Sequence, residues 1–145
     1  MPLARIAAVV AGVWAGLVIG VGLIGAPAGF AVLSTPAEAG RVAGRMFAVE
    51  APLSLAFAVL IFLLERRRAR DRQEAGAATS QFSTEMLLAL GALFCTVAGY
   101  YAVLPMMEAA RAGQASPSFA TLHIVSTGFF TLKGLLVLAL AWRLT

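Results

Sequence analysis

Six polar or ionisable side chains that could bind a ligand lie inside or beside otherwise apolar stretches of the sequence. They are Glu50, Tyr100, Tyr101, His123, Ser126 and Lys133, and the chain has no other histidine or lysine. A carboxylate, an imidazole, an ammonium group and hydroxyls can together line a polar cavity that holds a small solute, a proton or a lipid headgroup. They can equally satisfy one another as interhelical hydrogen bonds that set helix register. The residue types leave both interpretations open.

The spacing in the last apolar stretch predicts a shared helix face. Because successive residues turn by about 100°, Ser126 and Lys133 fall roughly 60° and 80° to one side of His123. A charge at the centre of a bilayer costs at least ~2.5–3.5 kcal/mol on insertion scales, so this face is expected to point into a bundle. By the helical rise, the glutamate, the tyrosines and the histidine are predicted about 7 to 12 Å outward of the membrane centre.

No catalytic constellation accompanies these residues. The sequence has no HExxH motif and no glycine-rich phosphate loop in a suitable context. The single Cys95 excludes an internal disulfide and a CxxC site, and the remaining nitrogen and sulfur ligands are too few for structural zinc. We therefore expect a non-enzymatic protein with no metal and no cofactor. Haem held by His123, as one axial ligand or as two across a dimer, is kept as a third candidate.

Composition predicts the elements that position these residues. The chain has 145 residues, 61% hydrophobic and 12% charged, against about 25% charged in soluble domains. This favours an integral membrane protein: an all-α bundle of four transmembrane helices forming one domain over residues 1–145. The predicted spans are about 6–33, 46–64, 85–104 and 119–142. The first apolar run is longer than the core of a signal sequence, which favours a retained helix.

Local signals refine two of the spans. Thr35 and Pro36 followed by Glu38 resemble a helix start, so a helix is expected to begin near Pro36 and to continue into span two. Span one is longer than the ~20 residues needed to cross the hydrocarbon, so it is expected to tilt or to bend around Pro27.

Three glycines give the first span a face of small residues. Gly12, Gly16 and Gly20 stand four apart, so they share one side of a helix and allow another backbone to approach closely. The partner is either a helix of the same bundle or a second copy of the chain. The sequence does not decide between the two.

A run of basic residues in the connection 65–81 predicts topology. It contains Arg66, Arg67, Arg68, Arg70 and Arg72, which are expected to contact lipid headgroups. With four spans, seven arginines lie on the side of the termini and three on the other, so both termini and this connection are predicted to be cytoplasmic, in a bacterial inner membrane. Without a soluble domain to present the basic residues, no nucleic-acid partner is expected.

Several short motifs resemble the transmembrane protein 205-like family. They are Trp14-x-Gly16, Pro27-x-x-Phe30, Ala39-Gly40 with Arg45 and Phe47, Tyr101-x-Val103-x-Pro105-Met106, Arg111, and Phe119-x-x-Leu122-His123-x-x-Ser126. The resemblance covers most of the chain. It implies a small four-helix membrane protein and a link to transport, because a mammalian relative is linked to drug resistance and export.

Three functions follow as expectations. The favoured one is a membrane protein that handles a small solute or lipid, or assists transport, through the polar layer. The alternative is a structural or assembly subunit of a larger membrane complex that docks through the glycine-lined face. The third is a haem or metal carrier using His123. Membrane lipids and a homo-oligomer or complex partner are the expected contacts.

Overall fold

Four long helices make up the computed structural model, which describes residues 2–78, 80–114 and 116–145. Helix α1 is Pro2–Val32, α2 is Pro36–Glu74, α3 is Thr84–Arg111 and α4 is Phe119–Leu144. Each is long and apolar enough to cross a membrane. The prediction of an all-α protein with four spans is therefore confirmed. Thr79, in the predicted basic connection, lies outside the described residues.

The helices form a closed ring. Helices α1 and α3 each pack against both α2 and α4, so α2 and α4 occupy opposite corners. Small residues of α1 face the centre, where Trp14 is fully buried and stacks on Phe57 of α2 with ring centroids 6.2 Å apart. The arrangement is an up-and-down bundle in which neighbours run antiparallel.

Side-chain caps mark the starts of three helices. Thr35 accepts a hydrogen bond from the backbone N–H of Glu38 at 3.2 Å, and Pro36 occupies the first helical position, where its missing donor is harmless. The predicted start of α2 near Pro36 is thus confirmed. Ser83 and Ser118 cap α3 and α4 in the same way. The arginine run continues α2 as helix up to Glu74.

Two π-helical segments widen the long helices next to prolines. Gly20–Gly25 precedes Pro27 in α1, and Val97–Ala102 precedes Pro105 in α3. Proline lacks a backbone donor and clashes with the carbonyl four residues earlier, and a wider turn relieves both problems. The helix that contains the third predicted span, about 85–104, therefore does not end at residue 104. It continues through Pro105 to Arg111.

Candidate functional site

A buried ion pair joins the opposite corners of the ring. The ammonium Nζ of Lys133 in α4 donates to both carboxylate oxygens of Glu50 in α2, at 2.7 Å to Oε1 and 2.8 Å to Oε2. The side chains are only 3% and 2% exposed. A two-point contact of this kind holds the carboxylate in one orientation as well as neutralising it.

The pair lies deep in the membrane-spanning part of both helices. Glu50 and Lys133 are equally far along the chain from the first residues of their helices, Pro36 and Phe119. By the helical rise, each lies about 21 Å along its helix. Lys133 is also about 17 Å from the last residue of α4, so it lies near the middle of its span. Glu50, which the sequence places in the outer half, thus lies at the level of Lys133.

A chain of hydrogen bonds extends the pair to α1. The Ser54 hydroxyl, one turn after Glu50 on α2, donates to Glu50 Oε1. The indole Nε1 of Trp14 donates in turn to the Ser54 hydroxyl at 2.8 Å. Trp14, Ser54, Glu50 and Lys133 thus form one network that links three of the four helices. We refer to these four residues as the central network.

Phenylalanine rings and α3, the helix that contributes no residue to the network, enclose the central network. The Lys133 ammonium lies 4.7 Å from the centroid of the Phe130 ring, and Phe47 meets that ring edge-on at 5.1 Å. Gly22 of α1 lies so close to Phe130 that a Cβ there would overlap the ring. Cys95 of α3 is also buried. The charge is therefore shielded from lipid on all sides.

The central network is satisfied from within. Among the described residues, no buried side-chain nitrogen or oxygen lacks a hydrogen-bond partner. Because an unsatisfied buried group costs about 1–3 kcal/mol, a fully paired network has little to gain from a polar ligand. Its evident physical role is to fix the register of α2 and α4, and it leaves no orphan donor or acceptor in the described part of the chain to bind a solute.

The other predicted members of the polar layer lie elsewhere. His123 is exposed and stacks on Phe119, with centroids 6.0 Å apart. Ser126 donates to the Gly99 carbonyl at 2.9 Å. The structure therefore does not bring the six residues into one cavity. His123 and Lys133 lie roughly 80° apart around the axis of α4. This separation is enough for Lys133 to point into the bundle while His123 points out of it.

The two tyrosines pack against each other in the C-terminal half of α3. Their rings meet edge-on at 5.1 Å, and Tyr101 is 43% exposed. Neither has a hydrogen bond to the central network among the described residues. This position is typical of interfacial tyrosine, with an apolar body in lipid and a polar end near water.

Trp14 and Ser54 belong to the network but are absent from the residues that the sequence predicts. A signal for Ser54 was available, because it stands four residues after Glu50 and so shares its helix face. The role of Trp14 was not accessible in this way, since it depends on how α1 and α2 are aligned. Among the described residues, no cluster of three or more His, Cys, Asp or Glu side chains could hold a metal ion.

The glycines divide sharply by what surrounds them. A Cβ at Gly22 or Gly99 would overlap a phenylalanine side chain, and one at Gly91 would come within 3.2 Å of Leu136. In contrast, a Cβ at any residue of the stripe Gly12, Gly16 and Gly20 would meet nothing within 4 Å. The bundle therefore does not use the stripe of the first span for its own close packing.

One family model matches the sequence, over residues 9–116. The chain belongs to the family described as Domain of unknown function (DUF4149). The match includes Trp14, Glu50 and Ser54 but ends before α4, so Lys133 lies outside it. No curated protein and no solved structure matches the chain. Family and structure together show a multi-pass membrane protein of an uncharacterised family.

Proposed function

We propose that the protein is a non-enzymatic membrane subunit that associates with a second copy of itself through the glycine-lined face of α1. The observation that carries this proposal is the empty space in front of Gly12, Gly16 and Gly20. The bundle uses other residues of α1 for its own packing, so this face is left for an outside contact.

The two faces of α1 are well separated. The buried face consists of Ala7, Ala11, Trp14, Ala15 and Val18, and on a helical wheel it lies roughly 155° from the stripe. On the stripe's own side, Val9 and Val13 are 65% and 56% exposed. From Gly12 to Gly20 the stripe is about 12 Å long. A flat glycine surface flanked by valines allows close backbone approach, and it is self-complementary under a two-fold axis.

The closed central network supports a structural rather than a ligand-binding interior. A cavity for a solute would need polar groups that point into open space, whereas Glu50 and Lys133 bind each other. The network keeps α1, α2 and α4 in fixed register. A rigid bundle presents the stripe in a constant position, which lowers the entropy cost of association.

A second candidate function is solute handling or transport through the centre of the bundle. An ionisable pair within a membrane span is a functional hypothesis by default, because such residues often mark ion or proton pathways. We propose the transmembrane protein 205-like family as the wider relationship of this chain. The resemblance to that family supports the same candidate function. This candidate requires the Glu50–Lys133 pair to separate during function.

The subunit proposal is tested with Gly16→Leu and the matched control Gly128→Leu. Both glycines are exposed on membrane-spanning helices, and a Cβ at either position meets nothing within 4 Å. We therefore expect both variants to fold as the wild type does. The oligomeric state is measured by single-molecule photobleaching of labelled protein in liposomes. We expect dimers for the wild type and for Gly128→Leu, and monomers for Gly16→Leu. A monomeric wild type would contradict the proposal.

We also propose a bacterial inner-membrane location with cytoplasmic termini. Seven arginines on the side of the termini against three on the other support it, and Lys133 does not enter the count because it is buried within its span. Fusions of a reporter after Thr145 test the orientation. A fusion that is active only outside the cytoplasm would reverse it.

A further inference from the structure

A cavity lies at the arginine-rich end of α2. It has a volume of about 250 Å³ and lies between α2 and the segment that leads into α3. Arg66 and Arg70 line its polar side, and Phe62, Phe82 and Met86 line its apolar side. A second, more open depression adjoins it and shares both arginines.

The positive charge in this cavity is not neutralised by a carboxylate. Arg67 pairs with Asp71 at 3.1 Å, and Arg68 pairs with the buried Glu65. No carboxylate lies within ion-pair distance of the other arginines of the run, among the described residues. Of these, Arg66 and Arg70 line the cavity. The five arginines are thus not equivalent, because only these two combine a missing acidic partner with a place in the cavity wall.

The register of α2 places these arginines above an aromatic side chain. Phe62, Arg66 and Arg70 are four residues apart, so they form a column on one helix face with about 6 Å between steps. Two guanidinium groups at this spacing can both donate to the oxygens of one phosphate. Phe62, one turn closer to the membrane centre, is placed to contact the hydrocarbon attached to such a phosphate.

The depth of the cavity matches a lipid headgroup. At this end of the bundle, Glu85 at the start of α3 pairs with Arg143 at the end of α4 at 2.9 Å, and such exposed ion pairs belong at the water boundary. Met86, which lines the cavity, follows Glu85 directly. Toward the membrane centre, Leu60 and Leu63 of α2 are 41% and 54% exposed, so they offer an apolar path for an acyl chain.

We propose that Arg66 and Arg70 form a binding site for the phosphate of an anionic phospholipid, with an acyl chain lying along Phe62. Basic pockets beside membrane-spanning helices recognise anionic headgroups by this combination of charge and apolar contact. The site is distinct from the glycine stripe and from the central network, and it does not depend on the oligomeric state.

The proposal is tested by titrating full-length protein with phosphatidylglycerol and counting bound lipids by native mass spectrometry. The test variant is Arg66→Gln with Arg70→Gln, and the control is Arg67→Gln with Arg72→Gln, which removes the same charge from the same helix. All four arginine side chains are exposed, so folding is retained. We expect a loss of about fivefold per arginine for the test variant, roughly 25-fold in all, because each arginine loses a hydrogen bond to the phosphate. We expect less than about fivefold for the control, whose arginines do not line the cavity.

Two further titrations separate a lipid site from a general basic surface and from a site for free phosphate. Phe62→Ala is expected to weaken phosphatidylglycerol binding while leaving both arginines in place, and phosphatidylcholine with the same acyl chains is expected to bind less tightly than phosphatidylglycerol. Equal losses in the test and control variants would show general attraction to the basic run and overturn the site. Tight binding of soluble glycerol phosphate, unaffected by Phe62→Ala, would show a phosphate site and also overturn the lipid proposal.

Discussion

Replacing one member of the Glu50–Lys133 pair should destabilise the bundle far more than replacing both. In Lys133→Met, the Glu50 carboxylate loses both hydrogen bonds to Nζ and keeps only Ser54 as a donor. In Glu50→Gln, the ammonium loses its counter-charge and one of its two acceptors, and keeps the amide oxygen and the Phe130 ring nearby. Breaking a buried pair from one side costs about 3–5 kcal/mol because a buried charge is left alone. We expect about 3 kcal/mol for each single variant, the lower end of this range.

The double variant Glu50→Gln with Lys133→Met removes both charges together. The introduced glutamine and methionine nearly conserve the volumes of the original side chains, and Ser54 can still donate to the amide oxygen. Such volume-conserving changes cost less than about 1.5 kcal/mol. Since the two single variants together cost about 6 kcal/mol, the coupling energy between the two positions should exceed about 4 kcal/mol. A loss of about 3 kcal/mol lowers the folding equilibrium constant about 150-fold, which is readily measured.

The assay is reversible unfolding in mixed micelles with increasing sodium dodecyl sulfate, followed by circular dichroism, for the four proteins of the cycle. A cost below about 0.5 kcal/mol for either single variant, the level of an ordinary surface substitution, would refute a stabilising pair. A double variant that costs the sum of the singles would refute it too, because the two side chains would then act independently.

Three further predictions concern other contacts of the bundle. Ser54→Ala should cost about 1–3 kcal/mol in the same unfolding assay, because it leaves the Trp14 indole N–H buried without an acceptor; adding Trp14→Phe, which removes that donor, should cost less than the sum of the two single changes. Gly22→Ala should cost about 1–3 kcal/mol through overlap with the Phe130 ring, whereas Gly128→Ala should be neutral or slightly stabilising, and equal effects would contradict the packing of α1 on α4. Arg143→Gln should cost less than about 1 kcal/mol, since Arg143 is 48% exposed in its pair with Glu85. That cost should disappear in concentrated salt, and a salt-independent loss would point to another role for Arg143.

The sequence is sufficient to predict the helices, but it does not predict how the helices align with one another. Hydropathy predicts four spans, and the Thr35–Pro36 signal predicts the start of α2, because both depend only on local composition. The helix that contains the third predicted span continues past residue 104, although Pro105 would usually interrupt a helix, because the π-helical segment before it absorbs the interruption. A widened turn of this kind leaves no clear trace in hydropathy.

The candidate site shows the same division. Lys133 is expected from the sequence to face the bundle, with Glu50 among its possible partners, since a charge in lipid must find a counterpart. Their shared depth was not predicted. Taking the middle of an apolar run as the membrane centre moves Glu50 outward, whereas both residues lie equally far from the starts of their helices. Which way His123 turns depends on the crossing of α3 and α4, which one sequence does not specify.

The 83 positions that separate Glu50 from Lys133 also set an order of events during synthesis. Helix α2 is complete, with its acidic side chain unmatched, long before the ribosome reaches the lysine of α4. At about 5–20 residues per second, this interval lasts roughly 4–17 s. Until it ends, Glu50 must stay near water or be held by the insertion machinery. A nascent chain truncated at Arg111 never receives the lysine, and we expect it to be degraded faster than the full chain in a pulse-chase experiment.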